Sequence, residues 1–414
     1  MLNFEYVCSE CGRPYKIEPG RYLCSVCSRE ARADQPLRGQ LEVKITGSEG
    51  QDILPSDLPE DWASLKGLGE HPRVDGSLPY ADPLELLPVP REYFPSVPVG
   101  ETPLWKPWRL RKELGLNGLF FKDDSANPTG SLKDRASYLV AAFALQHGLE
   151  DVVLASTGNA GSSMSGIGAA AALNIRLYLP ESAPQAKIVQ ALQYGADVHK
   201  VKGTYDDAYD QSQEFVEKHG GLSRNTAHNP LTVEGKKTVS LEIFRQLGAS
   251  MPDVVYVPVG DGVIISGVYK GFEDLVLLGL ADKVPHIVCV QAEGSSAIAR
   301  ALESGGFGSP LRSDTVADSI SVDVPRGGLF ALNRLEKHNG RAVVVSDNEI
   351  LSAQLRLSSR AGLFAEPAAA AAFAGLLKDI KEGRSPGTEE RVIVLITGNG
   401  LKDINGALKA LELL

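Results

Sequence analysis

The nine residues Asn127-Pro-Thr-Gly-Ser-Leu-Lys-Asp-Arg135 set one lysine, Lys133, between a loop and a helix. Asn, Pro, Thr, Gly and Ser in succession disfavour helix and strand, so residues 127–131 are predicted to form a tight loop. The apolar run 136–145 predicts a helix that begins at once. A lysine in the first turn of a helix lies at the positive end of the helix dipole, which favours its neutral amine. We therefore expect Lys133 to be a nucleophile toward carbonyl carbons, the alternative being a solvated lysine beside a capping loop.

Composition and charge limit the classes of protein to which the chain can belong. Its 414 residues are 43% hydrophobic and 23% charged, which is typical of a soluble protein with room for two domains and an appendage. The net charge of -10 disfavours nucleic acid as a partner, because binding a phosphate backbone requires a clustered basic surface. No apolar run approaches the roughly 20 residues that span a bilayer, and the N-terminus lacks the layout of a secretory signal. We therefore expect a cytoplasmic protein with no membrane partner.

Four of the five cysteines form two closely spaced pairs near the N-terminus. Cys8-x-x-Cys11 and Cys24-x-x-Cys27 are separated by twelve residues, a spacing typical of a zinc ribbon. Four thiolates close a tetrahedral site with no open position for substrate, so the zinc is predicted to be structural. Free reduced cysteines or a redox pair are the alternatives. The fifth cysteine, Cys289, lies in an apolar run and is predicted to be a buried strand residue.

The rest of the chain divides by composition. Residues 35–99 are rich in Pro, Asp, Glu and Gly and are predicted to form an extended arm after the ribbon of residues 1–34. Beyond residue 100, short apolar runs alternate with helical segments, which is typical of a mostly parallel sheet wrapped by helices. The fold class is therefore α/β, with ligands expected beyond the carboxyl ends of the strands. The predicted strands are 119–122, 152–155, 176–179, 197–201, 254–259, 287–290, 342–345 and 392–396.

Three polar or glycine-rich loops follow predicted strands. Ser156-Thr-Gly-Asn-Ala-Gly-Ser-Ser163 offers hydroxyls, an amide and backbone N–H groups at a helix N-terminus, which suits an anion such as a carboxylate. Gly260-Asp-Gly-Val-Ile-Ile-Ser-Gly267 is a candidate phosphate cradle, because glycines let N–H groups converge on phosphate oxygens. It lacks the Gly-x-Gly-x-x-Gly and Walker patterns, which disfavours nicotinamide and ATP. Thr397-Gly-Asn-Gly-Leu-Lys-Asp403 puts a hydroxyl within reach of a heterocyclic nitrogen. Each loop could instead be an ordinary turn at a strand end.

Together these loops resemble the fold type II pyridoxal phosphate enzymes, and among them the threonine synthase family. The resemblance covers residues 100–405. It implies a large domain of residues 100–136 and 225–414 that encloses a small domain of residues 137–224, with the cofactor in the cleft between them. Closure of the small domain onto substrate would exclude water. The motifs that carry the resemblance are NPTGSLKDR at 127–135, STGNAGSS at 156–163, NPLTVEGKKT at 229–238, PVGDG at 258–262, GLFAEPAAAA at 362–371 and TGNGLKD at 397–403.

The resemblance also implies roles for individual residues. Lys133 would hold pyridoxal 5'-phosphate as a Schiff base and later move protons, and Asn159 would bond the 3-hydroxyl oxygen of the cofactor. Thr397 would face the pyridine nitrogen and, as a neutral hydroxyl, leave it unprotonated. The substrate carboxylate would lie against Ser156, Thr157, Gly158 and Ala160. The cofactor phosphate would be held by the backbone of Gly260, Asp261, Gly262, Val263 and Ile264.

For a threonine synthase, the implied reaction is γ-elimination of phosphate from O-phosphohomoserine followed by addition of water at Cβ. Each step moves a proton on one face of the substrate, and a lysine released from the cofactor can serve several of them. Relatives are commonly dimers, so the resemblance implies a homodimer that acts on a small amino-acid substrate.

Three positions depart from the family pattern. Asp261 stands in the phosphate loop, where it must point away from the phosphate or be neutralised, and Ala160 replaces a frequent threonine. Thr232 stands where threonine synthases usually carry an arginine that grips the leaving phosphate. Losing such charge-assisted bonds would cost about 1.5–3 kcal/mol each. The cations that could compensate, or that could instead be solvated at the surface, are Arg224, Lys187 and Arg326.

Three functions therefore stay open. The first is a threonine synthase in which another basic residue takes the phosphate. The second is β-replacement or β-elimination on phosphoserine, serine, threonine or diaminopropionate, as in a cysteate synthase or a dehydratase. The third is a ribbon-bearing binding or scaffold protein without catalysis, against which the retention of Lys133, Asn159 and Thr397 argues.

Overall fold

The computed structural model describes residues 2–47, 52–66, 81–181, 183 and 185–413. Its strands form three sheets, and the predicted α/β class is confirmed. All eight strands expected from the apolar runs are present. In chain order the strands are β1 (Asn3–Cys8), β2 (Pro14–Tyr15), β3 (Leu41–Thr46), β4 (Leu104–Trp105), β5 (Leu119–Asp123), β6 (Asp151–Ala155), β7 (Asn174–Pro180), β8 (Asp197–Val201), β9 (Leu222–Ser223), β10 (Val254–Pro258), β11 (His286–Ala292), β12 (Arg341–Val345) and β13 (Val392–Ile396).

Helices separate these strands, as the alternating pattern of the sequence predicts. Within the described ranges, none of them is both long and apolar enough to span a membrane. In chain order the helices are α1 (Glu60–Ala63), α2 (Trp108–Leu114), α3 (Lys133–Gln146), α4 (Asn159–Ala170), α5 (Gln185–Gln193), α6 (Tyr205–His219), α7 (Leu231–Glu234), α8 (Thr238–Gln246), α9 (Val263–Leu277), α10 (Ala297–Ser304), α11 (Gly328–Lys337), α12 (Asp347–Ala361), α13 (Pro367–Lys381) and α14 (Ile404–Leu411).

The N-terminal part of the chain forms a small antiparallel sheet in the order β2-β1-β3. β3 comes from the segment predicted to be an extended arm, so both N-terminal segments contribute to this sheet. Tyr22 joins the unit to the body of the protein, because its hydroxyl accepts from the Ser223 N–H at 2.8 Å and its ring centroid lies 4.7 Å from that of His228. Gln40 adds a hydrogen bond of 3.0 Å to the Ala227 carbonyl. The N-terminal unit therefore supports the segment that follows β9.

Two further sheets build the body. The six-stranded sheet has the order β12-β11-β10-β13-β5-β4 and is parallel except for β4 at its edge. The four-stranded sheet is parallel and has the order β8-β7-β6-β9. Its strands come from residues 151–223, whereas those of the larger sheet come from residues 104–123 and 254–396. Every residue of β10 and β13 is buried, as expected for parallel strands covered by helices on both faces.

A buried network of charges fixes the beginning of α3. The Arg135 guanidinium donates to both carboxylate oxygens of Asp124, at 2.6 and 2.8 Å, and to both of Glu242, at 2.5 and 2.8 Å. Lys122 donates to Glu242 at 2.7 Å and to the Thr102 carbonyl at 2.8 Å. Burial raises the pKa of Glu242, but the charges of Arg135 and Lys122 outweigh it and hold that pKa well below its usual value. Glu242 is therefore ionised at neutral pH.

Glu242→Gln is expected to lower the free energy of unfolding by about 3–5 kcal/mol at neutral pH, because it leaves two buried cations short of a partner. The Glu242 contribution is present above its unfolded-state pKa and is lost as the pH falls through the depressed folded-state pKa, so the effect should shrink in acid. Denaturant unfolding at several pH values measures it. The matched control is Glu214→Gln, which breaks an exposed pair with Lys218 on α6 and should change stability little. Equal losses in the two variants would contradict the role of the network.

Candidate active site

Two of the three predicted loops, 156–163 and 397–403, meet the loop before Lys133 at one cleft between the two larger sheets, whereas the loop 260–267 does not line its cavity in the described structure. The cleft holds a cavity of about 560 Å³. Parts of four of the six sequence motifs line it, although these motifs lie far apart along the chain. They meet because the loops after parallel strands share one edge of their sheet. The lining includes Asn127, Thr129, Gly158, Asn159, Ser162, Gln190, Ser319, Glu366, Asn399 and Lys402.

Lys133 is the first residue of α3. The residue before it donates its N–H to the Thr397 carbonyl at 2.9 Å, which ties the start of the helix to the end of β13. Burial lowers the pKa of Lys133, and the nearby Arg224 guanidinium lowers it further. The carboxylates of Glu366 and Asp261 oppose this shift without reversing it. The neutral amine is therefore available at a lower pH than in an exposed lysine, as a nucleophile requires.

Asn159 is the first residue of α4, and a buried carboxylate holds its side chain. The amide Nδ2 lies 3.0 Å from each carboxylate oxygen of Glu366 and 3.3 Å from Ser319 Oγ. This hydrogen bond crosses the cleft, because α4 borders the four-stranded sheet whereas Glu366 precedes α13 beside the six-stranded sheet. The role of Asn159 toward the cofactor hydroxyl stays a prediction.

Glu366 is a residue to which the sequence assigns no role. Its signal is a lone carboxylate inside the otherwise apolar motif GLFAEPAAAA, since an acid in such a run needs a partner or a function. Only 3% of Glu366 is exposed, and burial raises its pKa while the hydrogen bond from Asn159 and the charge of Lys133 lower it. A Cβ at Gly398 would overlap the carboxylate, which explains a glycine directly after Thr397.

The loop after β6 is held by its own hydroxyl. Ser156 Oγ accepts from the Gly158 N–H at 3.2 Å and from the Gly161 N–H at 2.9 Å. In the described structure Gly158 is among the residues that line the cavity, whereas Ser156, Thr157 and Ala160 are not. These two hydrogen bonds therefore link the loop to itself. Its role in holding a substrate carboxylate stays a prediction.

The loop between β10 and α9 has the backbone expected of a phosphate cradle. Gly262 has a φ of +90°, a conformation that favours glycine, and it stands just before Val263, the first residue of α9. A Cβ at Gly262 would come within 2.6 Å of the Gly327 carbonyl oxygen. The Asp261 carboxylate accepts from the Val263 N–H at 3.1 Å and so occupies one of the backbone donors predicted to hold phosphate. Asp261 therefore points toward the helix end, which leaves neutralisation by a cation as the way to admit a phosphate.

Lys402 is a second residue with no role assigned from the sequence, and it bridges the cleft. Its Nζ donates to the Thr129 carbonyl at 2.9 Å, to Ser162 Oγ at 3.1 Å and to Gln190 Oε1 at 2.6 Å. Thr129 precedes α3, whereas Ser162 and Gln190 lie on α4 and α5 beside the four-stranded sheet. One ammonium group therefore bonds to both walls of the cleft.

The position expected to carry an arginine, Thr232, is fully buried in α7. Of the three candidate replacements, Arg326 forms an ion pair with Asp206. The side chain of Lys187 lies outside the described residues. Arg224 is fully buried and contributes to the electrostatics of Lys133. Of the two candidates whose side chains are described, Arg224 is therefore the one that has no carboxylate partner within 4.0 Å.

The four N-terminal cysteines lie together. The Sγ atoms of Cys8, Cys11, Cys24 and Cys27 are all within 4.8 Å of one another, and none of these cysteines forms a disulfide. The Sγ atoms of Cys11 and Cys24 are 3.8 Å apart. A tetrahedral zinc with Zn–S bonds of about 2.3 Å places its thiolates about 3.8 Å from one another, so the cluster is compatible with a zinc site. Cys289 is fully buried in β11, as predicted.

The fold and the cleft define an α/β protein with a lysine of lowered pKa between two sheets. Residues 96–398 match the family described as pyridoxal-phosphate dependent enzyme, and the chain belongs to that family. Threonine synthase of Methanocaldococcus jannaschii is 37% identical over 412 residues, which are 98% of this chain and 94% of the relative. Threonine synthase of Methanosarcina acetivorans is 34% identical over 402 residues, which are 96% and 91% of the two chains.

The solved structures agree in fold. The processed form of threonine deaminase isoform 2 from Solanum lycopersicum superposes with a TM-score of 0.66 at 24% identity, over 78% of this chain and 90% of that one. Maize serine racemase superposes with a TM-score of 0.65 at 22% identity, over 76% and 92%. These matches cover 76–78% of this chain and show a likeness of fold.

The residues of the cleft fit pyridoxal phosphate. An aldehyde requires an amine in its neutral form, which the lowered pKa of Lys133 supplies. A phosphate requires backbone N–H donors, which the turn at Gly262 and the start of α9 offer, although the Asp261 carboxylate accepts from the N–H of Val263. Arg224 adds a buried Nε that has no hydrogen-bond partner in the described structure, as expected of a donor kept for an anion.

Glu366→Gln is expected to shift the pH dependence of cofactor attachment to lower pH. The Glu366 carboxylate raises the pKa of Lys133, so removing its charge lowers that pKa and leaves more neutral amine at a given pH. The rate at which the cofactor-free protein binds pyridoxal phosphate, followed by visible absorbance across pH, measures the shift. Glu113→Gln, which removes a carboxylate paired with Arg109 on α2, is the matched control. A midpoint equal to or above that of the control would contradict the effect of Glu366 on Lys133.

Proposed function

We propose that this chain is a threonine synthase, which converts O-phosphohomoserine and water into L-threonine and phosphate. The observation that carries the proposal is identity of 34–37% to two threonine synthases over more than nine tenths of both chains. The lowered pKa of Lys133 supports it, because the reaction requires a nucleophilic amine. When bound, pyridoxal phosphate supplies a ring that withdraws electrons from the carbon beside the substrate amine.

Lys133 Nζ is proposed to hold the cofactor at rest and to move protons once the substrate amine has replaced it. Protons must leave Cα and Cβ before phosphate departs from Cγ, and protons must return to Cγ and Cα around the addition of water at Cβ. Because its pKa lies below that of an exposed lysine, Lys133 can both accept and release these protons near neutral pH. Because all of these carbons are adjacent, one flexible amine can serve them.

Asn159, Glu366 and Lys402 are proposed to control the access of water. The hydrogen bonds from Asn159 to Glu366 and from Lys402 to Ser162 join the two walls of the cleft. A closed cleft strengthens every electrostatic interaction inside it and keeps water from reacting before phosphate has left. Release of these bonds would admit substrate and release product.

Thr397 and Ser156 retain the roles implied by the resemblance as proposals. A threonine hydroxyl beside the pyridine nitrogen would leave that nitrogen uncharged, so proton transfer by Lys133 would have to supply more of the catalysis. The location of the Thr397 carbonyl, which bonds the residue before Lys133, supports this placement because the two residues lie side by side. The loop from Ser156 to Ala160 would hold the substrate carboxylate, and zinc at the four N-terminal cysteines would be structural.

A β-elimination or β-replacement on phosphoserine, serine, threonine or diaminopropionate is the second candidate. The observation that favours it is Thr232, a neutral residue where a grip on the leaving phosphate is expected. The two candidates differ in the carbon from which the leaving group departs, so their products are different.

Purified protein is expected to form threonine and phosphate from O-phosphohomoserine, and Lys133→Ala should abolish both, together with the visible absorbance of the cofactor. Amino-acid analysis and phosphate release measure the products, with O-phosphoserine, serine, threonine and diaminopropionate as parallel substrates. Lys218→Ala, which removes an exposed lysine on α6, is the matched control and should keep full activity. Turnover of another substrate without threonine from phosphohomoserine would overturn the first proposal in favour of the second.

A homodimer is also proposed, in the cytoplasm and without a nucleic-acid partner. Ile404, Leu408 and Leu411 are 47%, 54% and 54% exposed, and their spacing puts them on one face of α14. Leu401, 72% exposed, continues this apolar patch to the cavity, which it helps to line. Contiguous apolar surface of this kind usually marks an interface.

Leu408→Asp is expected to convert the dimer into a monomer, because a charge would then be buried in the interface. Sedimentation velocity measures the change. Lys409→Asp, one residue along the same helix, changes charge on an exposed polar position and should leave the dimer intact. A wild-type protein that sediments as a monomer would disprove the proposed assembly.

A further inference from the structure

Two buried cations beside the cleft have no carboxylate partner. Arg224 and Lys236 are each 0% exposed, and in the described part of the chain no carboxylate lies within 4.0 Å of either. The neighbouring Lys237 is equally buried but pairs with Glu234 and Asp274. Burial of an unpaired charge is strongly disfavoured, so Arg224 and Lys236 are side chains that an anion from outside the chain would stabilise in their charged forms.

Lys236 lies next to the position where the arginine is expected. α7 continues into a short 3-10 turn, Gly235–Lys237, and the Lys236 Nζ donates to the Thr232 carbonyl at 2.7 Å. Side chains on a helix lean toward its N-terminus, so the ammonium group is carried back by one turn to Thr232. The stem of Lys236 packs against α9, because a Cβ at Gly267 would come within 2.6 Å of the Lys236 Cβ. Lys236 therefore lies between Thr232 and the helix of the phosphate cradle.

Arg224 approaches the same region from the segment after β9. Its guanidinium donates to Thr226 Oγ1 at 2.7 Å and to Ser137 Oγ at 3.4 Å. Ser137 lies on α3 one turn after Lys133, so the guanidinium runs alongside the start of that helix. Its Nε is buried and has no hydrogen-bond partner among the described residues. Arg224 thus combines a full charge with an unused donor.

Burial and nearby charges shift the pKa values of both Arg224 and Lys236. Burial lowers the pKa of Arg224 to about 10, and it lowers the pKa of Lys236 well below its usual value. Arg224 and Lys133 depress the pKa of Lys236 further, whereas the carboxylate of Asp261 opposes them. Asp261 and Asp134 raise the pKa of Arg224, but in the described residues neither carboxylate lies within 4.0 Å of Arg224 or Lys236, so an anion bound between these two cations would have no competing carboxylate at contact distance.

We propose that Arg224 and Lys236 form the binding site of a phosphate monoester dianion and take over the task of the arginine that Thr232 replaces. The inference rests on the proposed function, in which two phosphates are available, that of the cofactor and the leaving phosphate of the substrate. Both phosphates are monoester dianions, so each can accept hydrogen bonds from the guanidinium group of Arg224 and from the ammonium group of Lys236. Lys236 would also neutralise Asp261 and so let a carboxylate remain in the cradle.

Lys236→Met keeps the length of the side chain and removes its charge. It is expected to weaken the binding of inorganic phosphate to the holoenzyme by about 10- to 100-fold, the effect of one lost charge-assisted bond. The rise in Tm on adding phosphate measures this binding without any turnover. In the absence of phosphate the variant should melt above wild type, because an unpaired buried charge is gone. Lys218→Met matches the loss of one positive charge on exposed α6 and should behave as wild type.

Two arms of the experiment distinguish the source of the phosphate. If the substrate phosphate occupies the site, Lys236→Met raises KM for O-phosphohomoserine by about 10- to 100-fold and leaves the affinity for pyridoxal phosphate unchanged. If the cofactor phosphate occupies it, the variant loses affinity for pyridoxal phosphate but not for pyridoxal, which lacks the phosphate. Arg224→Gln repeats each arm on the second cation. Unchanged affinity for phosphate and for pyridoxal phosphate in both variants would overturn the inference.

The binding arms also separate this inference from the proposed function. A wild type that makes no threonine, yet loses phosphate affinity through Lys236→Met, would overturn the function and keep the site. A wild type that makes threonine, with variants that bind both phosphates normally, would keep the function and remove the site.

Discussion

The Arg135 guanidinium is the group on which the position of Lys133 depends. It lies two residues after Lys133 and bonds the carboxylates of Asp124 after β5 and of Glu242 on α8. The buried Arg135 guanidinium thus joins the segment after β5 to α3 and α8. Removal of Asp124 or Glu242 leaves it short of one partner. The hydrogen bond from the Leu132 N–H to the Thr397 carbonyl, just after β13, also fixes the position of Lys133. The start of α3 is therefore tied to the ends of β5 and β13, two neighbouring strands of the six-stranded sheet.

Two buried groups of charges lie within a few residues of each other on α3, and they differ in balance. Around Arg135 every cation meets a carboxylate at hydrogen-bond distance, which suits a structural role. Beside Lys133, the side chains of Arg224 and Lys236 are buried with no carboxylate within 4.0 Å among the described residues, and burial lowers the pKa of Lys133. Excess charge that a fold retains in a cleft is costly unless a ligand supplies the opposite sign. The charges around Arg135 therefore stabilise the fold, whereas those around Lys133 are left for a ligand to neutralise.

The sequence predicted the class of fold, the eight strands and the cysteine cluster, because these depend on local periodicity and spacing. It did not assign roles to Glu366, Lys402 or Lys236. Each of these stands in a motif recognised as a block. Glu366 and Lys402 acquire their partners only across the cleft, and the burial of Lys236 without a carboxylate partner is a property of the folded chain. The pairing of β3 with β1 was likewise missed, because strand partners across a long connection leave no mark in either segment.

Local sequence was sufficient for Lys133 at the start of a helix, for the glycine turn before α9 and for the hydroxyl after β13, since turn chemistry and helix starts depend on neighbouring residues. Packing decided which charges meet. The pKa of Lys133 follows from burial and from Glu366, Asp261 and Arg224, which are distant along the chain. Desolvation and Coulomb interactions depend on distances in space, and only the folded sheets set those distances.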